Sequence, residues 1–208
     1  MNISSHEKPI CILVIGGPAS GKGTFCKRLS EEFGIIHLSI GEVLREERNY
    51  DTDEGKFLDF HMKEFESTGA LMPVEIVAQF LIRGMERKGW EKNLYLIDGF
   101  IKAKAGYDYW IEKFSRLVKT KFVLYLECSK EEMLRRMRKR SETSERLDDN
   151  ENIFSTRIKT FFERTYPNVE RFEDMGMVRK VNTEQNMETV YTEIKKHFYK
   201  YFPDFKYE

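Results

Sequence analysis

Short apolar runs alternate with longer amphipathic stretches along the chain. Ile10 to Ile15, Ile35 to Leu38, Leu94 to Ile97, Phe122 to Leu126 and Met177 to Val181 are enriched in aliphatic and aromatic residues and read as strands. The segments between them carry helical patterns. Strands that alternate with helices predict an α/β fold, a five-stranded parallel sheet flanked by helices on both faces. In such sheets ligands bind beyond the carboxyl ends of the strands, so the residues just after each run are the first candidates for chemistry.

The helical stretches follow in order. One runs from Phe25 to Phe33, directly after the first strand. Ser39 and Glu42 have the spacing of a capping box and start a second. Residues 55–67 form a third, stopped by Thr68-Gly69-Ala70, and Pro73 opens a fourth with Val74, Val77, Phe80, Leu81 and Met85 at helical spacing. Two helices between the second and third strands are more than a crossover needs, which predicts a small insert able to move as a flap. Ser129 is placed to cap a helix from Lys130 to Arg140, and residues 141–150 read as a polar loop.

The first strand runs into Gly16-Gly17-Pro18-Ala19-Ser20-Gly21-Lys22-Gly23-Thr24, so a glycine-rich loop joins a strand to a helix. Glycines let successive backbone N–H groups turn inward, and the helix N-terminus adds partial positive charge at the same place, which suits a polyphosphate. Lys22 is placed to meet the phosphate oxygens. The spacing fits a P-loop except at Gly23, where the general pattern has a hydroxyl; Thr24 supplies one a residue later. Asp98, at the end of the third run, is suited to holding Mg²⁺ directly or through water, or else to forming an Asp-Gly turn. At about 100° per residue, Arg136 and Arg140 fall on the side of Met133 and Met137, with Arg135 and Lys139 outward. Arg157 stands between Phe154 and Phe161 in the same manner. Arg45, taken alone, reads as solvated.

Length and charge narrow the picture. The 208 residues fit one domain, and 35 Lys+Arg against 35 Asp+Glu leave no net field for nucleic acid or an anionic membrane. Cys11, Cys26 and Cys128 lie in or beside apolar runs without CxxC spacing and read as reduced core residues. His6, His37, His61 and His197 form no ligand spacing. Residues 1–8 lack the apolar stretch of a signal peptide, and nowhere do about 18 apolar residues run together, which predicts a cytoplasmic protein with no membrane partner.

Four stretches together resemble the nucleoside monophosphate kinases, within them the short-lid adenylate kinase and UMP-CMP kinase group: residues 16–24, His37 to Arg45, Leu96 to Phe100, and Arg146 to Asn150. The resemblance covers about residues 9–200. It implies a P-loop NTPase fold with a core of about 9–38, 73–140 and 150–200, an NMP-binding flap over about 39–72 and a lid over about 141–149. It further implies a monomer whose partners are MgATP and a nucleoside monophosphate, with the γ-phosphoryl group passed between them. By the same resemblance, Gly17, Pro18, Ala19, Ser20, Gly21, Lys22, Gly23 and Thr24 hold the ATP phosphates and Arg136 stacks on its base. Ile40, Arg45, Met72, Val74, Gly99 and Lys102 form the acceptor site. Lys22, Arg140, Arg146 and Arg157 act on the phosphoryl group in flight, and Asp98 organises the water shell of Mg²⁺. The lid lacks the cysteines of zinc-bearing relatives, so no zinc is expected.

The chain departs from the family in one cluster. After Asp98-Gly99-Phe100 the family continues Pro-Arg, where this chain has Ile101-Lys102; Gly106 stands where the family places a Gln or Asn that reads the acceptor base. Ser141 and Glu145 replace lid glycines. Gly41-Glu42 and Pro73 to Ile76 look like the UMP-CMP branch, Arg179 to Asn182 like the adenylate branch. Two functions remain: a kinase, and a nucleotide-binding protein of weak or no turnover acting through a protein partner. With Gly106 leaving the base unread, Gly106→Asn is expected to sharpen the choice of acceptor.

Overall fold

The computed structural model describes residues 8–68, 71–90, 93–142 and 151–203. The five apolar runs form the strands β1 (Ile10–Gly16), β2 (Ile36–Ser39), β3 (Leu94–Asp98), β4 (Lys119–Glu127) and β5 (Val178–Asn182). All pair in parallel, in the order β2-β3-β1-β4-β5.

The central strand explains why its run is unbroken. Successive side chains of a strand point to opposite faces, and both faces of this sheet are covered. Cys11, Leu13 and Ile15 enter one core with residues of α4 (Val74–Lys88), α5 (Lys104–Glu112), α6 (Lys130–Ser141), α7 (Glu151–Thr160) and α8 (Tyr166–Asp174). Ile12 and Val14 enter the other, beneath α1 (Lys22–Phe33) and α9 (Met187–Tyr201). Phe198, Tyr201 and Phe202 near the end of α9 belong to that second layer, where Tyr201 stacks on Phe122.

Between β2 and β3 the chain adds α2 (Ile40–Glu47) and α3 (Asp53–Thr68) before α4. Ser39 stands at the N-cap of α2 but makes no side-chain capping bond, so the expected capping box does not form. Its backbone completes β2 opposite Asp98, and the strand rather than the hydroxyl sets where α2 begins. Ser129 does cap α6, accepting from the Glu132 amide at 3.3 Å. Glu47 of α2 pairs with Arg87 of α4, and Glu54 of α3 meets Arg83 through two hydrogen bonds, so the two inserted helices are tied to α4 by charge as well as by Leu44, Leu58 and Met62.

α7 and α8 are joined by a wider π-helical turn, Phe161–Thr165. Pro167 supplies the reason. It lacks an N–H, and its ring clashes with the carbonyl four residues back, so an ordinary α-turn cannot close there.

Candidate active site

β1 ends at Gly16 and the chain turns through two left-handed residues, Ala19 (φ 56°) and Gly21 (φ 93°), before α1 begins at Lys22. No side chain caps α1 and no acidic residue stands in its first turn. Its leading N–H groups therefore face the loop and favour an anion. The Lys22 ammonium donates to the Gly16 carbonyl at 2.7 Å and the Gly17 carbonyl at 2.9 Å. Burial lowers its pKa, with Arg157 and Arg140 adding to the effect and Asp98 opposing it.

The loop forms one side of a cleft of about 920 Å³. Strand register fixes what faces it, because Asp98 at the end of β3 lies beside Val14 on one side and Ser39 on the other. Asp98 is 8% exposed, and its Oδ1 has no hydrogen-bond partner among the described residues; the same holds for Ser20 Oγ and His37 Nε2. Burial lowers the His37 pKa, with Asp98 and Glu42 opposing. Among the described residues no three His, Cys, Asp or Glu side chains gather to cage a metal. A single buried carboxylate with an open oxygen, beside a phosphate loop and Thr24, fits a hydrated Mg²⁺ that keeps most of its water and takes the rest of its ligands from substrate.

Cations converge on the same cleft from four directions. Arg136 of α6 bonds Glu132 at 2.7 Å and reaches the carbonyls of Ala19 and Thr183, spanning the loops after β1 and β5. Arg140 and Arg157 line the cleft one beyond the other, while Arg135 and Lys139 lie on the outer surface of α6 with Glu131, as the helical spacing predicts. Arg45 also lines the cleft rather than standing solvated; a Cβ on Gly41 would come 3.3 Å from its Nη1, so the glycine gives the guanidinium its resting place. Lys102 lines it from the β3–α5 loop, and withdrawal from water, with Arg157 the next cause, lowers its pKa to about 8. Arg146 lies outside the described residues.

Of the other anticipated residues, Pro18 to Thr24 and Gly99 line the cleft. Gly17 stands just behind it, where a Cβ would collide with the Met133 side chain. Ile40 is buried and packs beneath Gly99, and Met72 and Val74 pack against the core next to Leu71, which does reach the cleft.

Gly106 requires a correction. It is buried in the first turn of α5, and a Cβ there would stand 2.9 Å from the Phe100 carbonyl oxygen. The glycine lets α5 close directly onto the loop, so an asparagine has no room to reach a base from this backbone, and the expected gain from Gly106→Asn is withdrawn. Among the described residues no Asn or Gln lines the cleft at all. Sequence reading also missed Thr160, Phe161 and Thr165, which line it from the end of α7 and the π-turn. Pro167 was the available signal.

The comparisons agree with this geometry. A family model described as adenylate kinase matches residues 14–177. The chain is 36% identical to the UMP-CMP kinase of Mus musculus over 92% of its own length and 97% of that protein, and 36% identical to the human UMP-CMP kinase over 90% and 95%. It is also 37% identical to adenylate kinase isoenzyme 1 of Rattus norvegicus, over 90% and 93%.

Proposed function

This chain belongs to the adenylate kinase family and is a nucleoside monophosphate kinase, and we propose that its cleft moves the γ-phosphoryl group of MgATP to UMP and CMP first and AMP next. The observation that carries the reading is that Lys22, Asp98, Arg140 and Arg157 share one cleft with Arg45 and Lys102. The preference for pyrimidines is supported by Gly41-Glu42 and the 73–76 stretch, and by the UMP-CMP kinases among its relatives. The absence of a cleft-lining amide side chain among the described residues supports a loose choice of base.

The chemistry is positioning and charge. The N–H groups of Gly17 and of residues 19–24, with the Lys22 ammonium, hold the donor phosphates, and Arg136 covers the donor base. Arg45 and Lys102 hold the acceptor phosphate, with Ile40, Met72, Val74 and Gly99 around the acceptor nucleoside. Arg140, Arg157 and the lid's Arg146 stabilise charge that spreads over the phosphoryl oxygens as the bond to the donor loosens. Mg²⁺, when bound, neutralises the same oxygens, and Asp98 orients its water shell. The flap over 39–72 covers the acceptor side, where keeping water out prevents it from accepting the group; residues 143–149 of the expected lid lie outside the described residues. Three buried free thiols suit a reducing compartment, and the working form is a cytoplasmic monomer.

A coupled ADP-release assay with AMP, UMP, CMP, dCMP and GMP tests this reading. Turnover fastest with UMP and CMP is expected. ADP release that is independent of every monophosphate would overturn it.

A further inference from the structure

Lys102 and Arg157 come from separate parts of the chain, yet the acceptor phosphate and the group in flight must lie within one bond of each other. A hydrogen bond links the two supports. Thr165 Oγ1 donates to the Lys102 backbone carbonyl at 2.8 Å. Thr165 is only 8% exposed and closes the π-turn that continues α7, the helix of Arg157. Because Pro167 forces that turn open, the Thr165 hydroxyl faces the β3–α5 loop.

The loop itself is held at its other points. Phe100 is packed edge-on against Trp110 at 5.3 Å, and the backbone of Phe100 lies against Gly106. The Lys102 amide bonds the Phe100 carbonyl at 3.1 Å. The Thr165 bond adds a hold on the Lys102 carbonyl itself. An arginine in place of Lys102 would gain orientation from its planar fork, but an ammonium has none and depends on where its backbone is held.

We propose that Thr165 is a positioning residue for the acceptor phosphate: its hydroxyl fixes the Lys102 peptide to the helix of Arg157, so that the acceptor-side and transfer-side cations keep one spacing. This rests on the kinase reading of the cleft. Thr165 touches no reacting atom in this role, since its proton is given to the Lys102 carbonyl.

The test compares Thr165→Val, which keeps the shape and loses the donor, with Thr165→Ser, which keeps the donor. Steady-state kinetics are measured with each substrate varied, alongside calorimetric Kd values for UMP, CMP and AMP and thermal melting. Thr165→Val is expected to raise the acceptor KM and Kd roughly five- to tenfold, the scale of one lost buried hydrogen bond, with the ATP KM unchanged. Thr165→Ser is expected to stay within about twofold of wild type, the hydrogen bond being kept. Equal weakening of ATP and acceptor in Thr165→Val, an unchanged acceptor Kd, or a Thr165→Ser variant as impaired as Thr165→Val would each overturn the proposal. Wild-type turnover judges the kinase reading separately: a wild type that binds monophosphates without turnover sinks that reading, while the calorimetric Kd still decides for or against Thr165.

Discussion

On the donor side of the cleft, the phosphate loop hangs from the central strand β1 and opens α1, so strand pairing, two left-handed turns and a helix N-terminus all fix the same few N–H groups. On the acceptor side the corresponding wall is the loop after β3, where Lys102 lines the cleft and Gly106 is buried against the Phe100 carbonyl with no side chain to offer. The first side presents backbone N–H groups fixed by that geometry. The second depends on single side chains. In the proposed reading the contrast separates two demands on a phosphotransferase: charge at the transferring group, supplied among the described residues by Lys22, Arg140 and Arg157, and selectivity at the acceptor, which the lack of a cleft-lining amide among the described residues would relax.

The comparison breaks most visibly at Lys22. Lys22→Met is expected to lower kcat by about 10³-fold or more, as for loss of a charge aimed at the developing phosphoryl oxygens, with circular dichroism unchanged. Wild-type turnover in that variant would remove the loop from the chemistry. Arg140→Ala and Arg157→Ala come next, each lowering kcat by about 10²- to 10³-fold with little change in acceptor KM; an effect confined to KM would reassign them to ordinary binding.

Lys102 should respond more mildly and with pH. Lys102→Ala is expected to raise acceptor KM about tenfold, the scale of one charged hydrogen bond. In the wild type, acceptor kcat/KM should fall as pH rises through about 8, because the ammonium is then lost. The sign for stability is opposite: folding lowers this pKa, so the fold resists the charged form and gains stability as pH rises from about 8 toward 10.5. Lys102→Arg should abolish the fall in kcat/KM, and a profile identical to wild type would show that Arg45 alone holds the phosphate. The smallest effect on turnover is expected at Gly106. Gly106→Ala should lower Tm by a few degrees, corresponding to about 1–3 kcal/mol of overpacking against the Phe100 carbonyl, and leave the ratio of kcat/KM among UMP, CMP and AMP within about twofold, there being no base contact to lose. A large change in that ratio would restore α5 as the reader of the base.

What could be read from sequence depended on the range of the interaction. The strands were legible because residues buried on both faces make unbroken apolar runs, and the phosphate loop because its geometry is set by nine consecutive residues. The arginines of α6 followed from helical period alone. Arg45 did not, since its place depends on β2 delivering α2 to the cleft. Gly106 was misread because its constraint is a carbonyl six residues earlier in the chain, brought close only when α5 folds back. The bond from Thr165 to Lys102 spans 63 positions and has no periodic trace.

The pairing of Val14 with Asp98 has a consequence on the scale of hydrogen exchange. These two residues sit one strand spacing apart, about 4.8 Å, in the part of the sheet flanked by neighbours on both sides, where amides exchange only through the rarest openings. The inserted helices α2 and α3, tied to α4 by the Glu47–Arg87 and Glu54–Arg83 pairs and by Leu44, Leu58 and Met62, lie outside the sheet and are expected to exchange sooner. In the proposed reading, opening of those helices would free an acceptor while the strand pairing that sets the Val14–Asp98 spacing stays fixed.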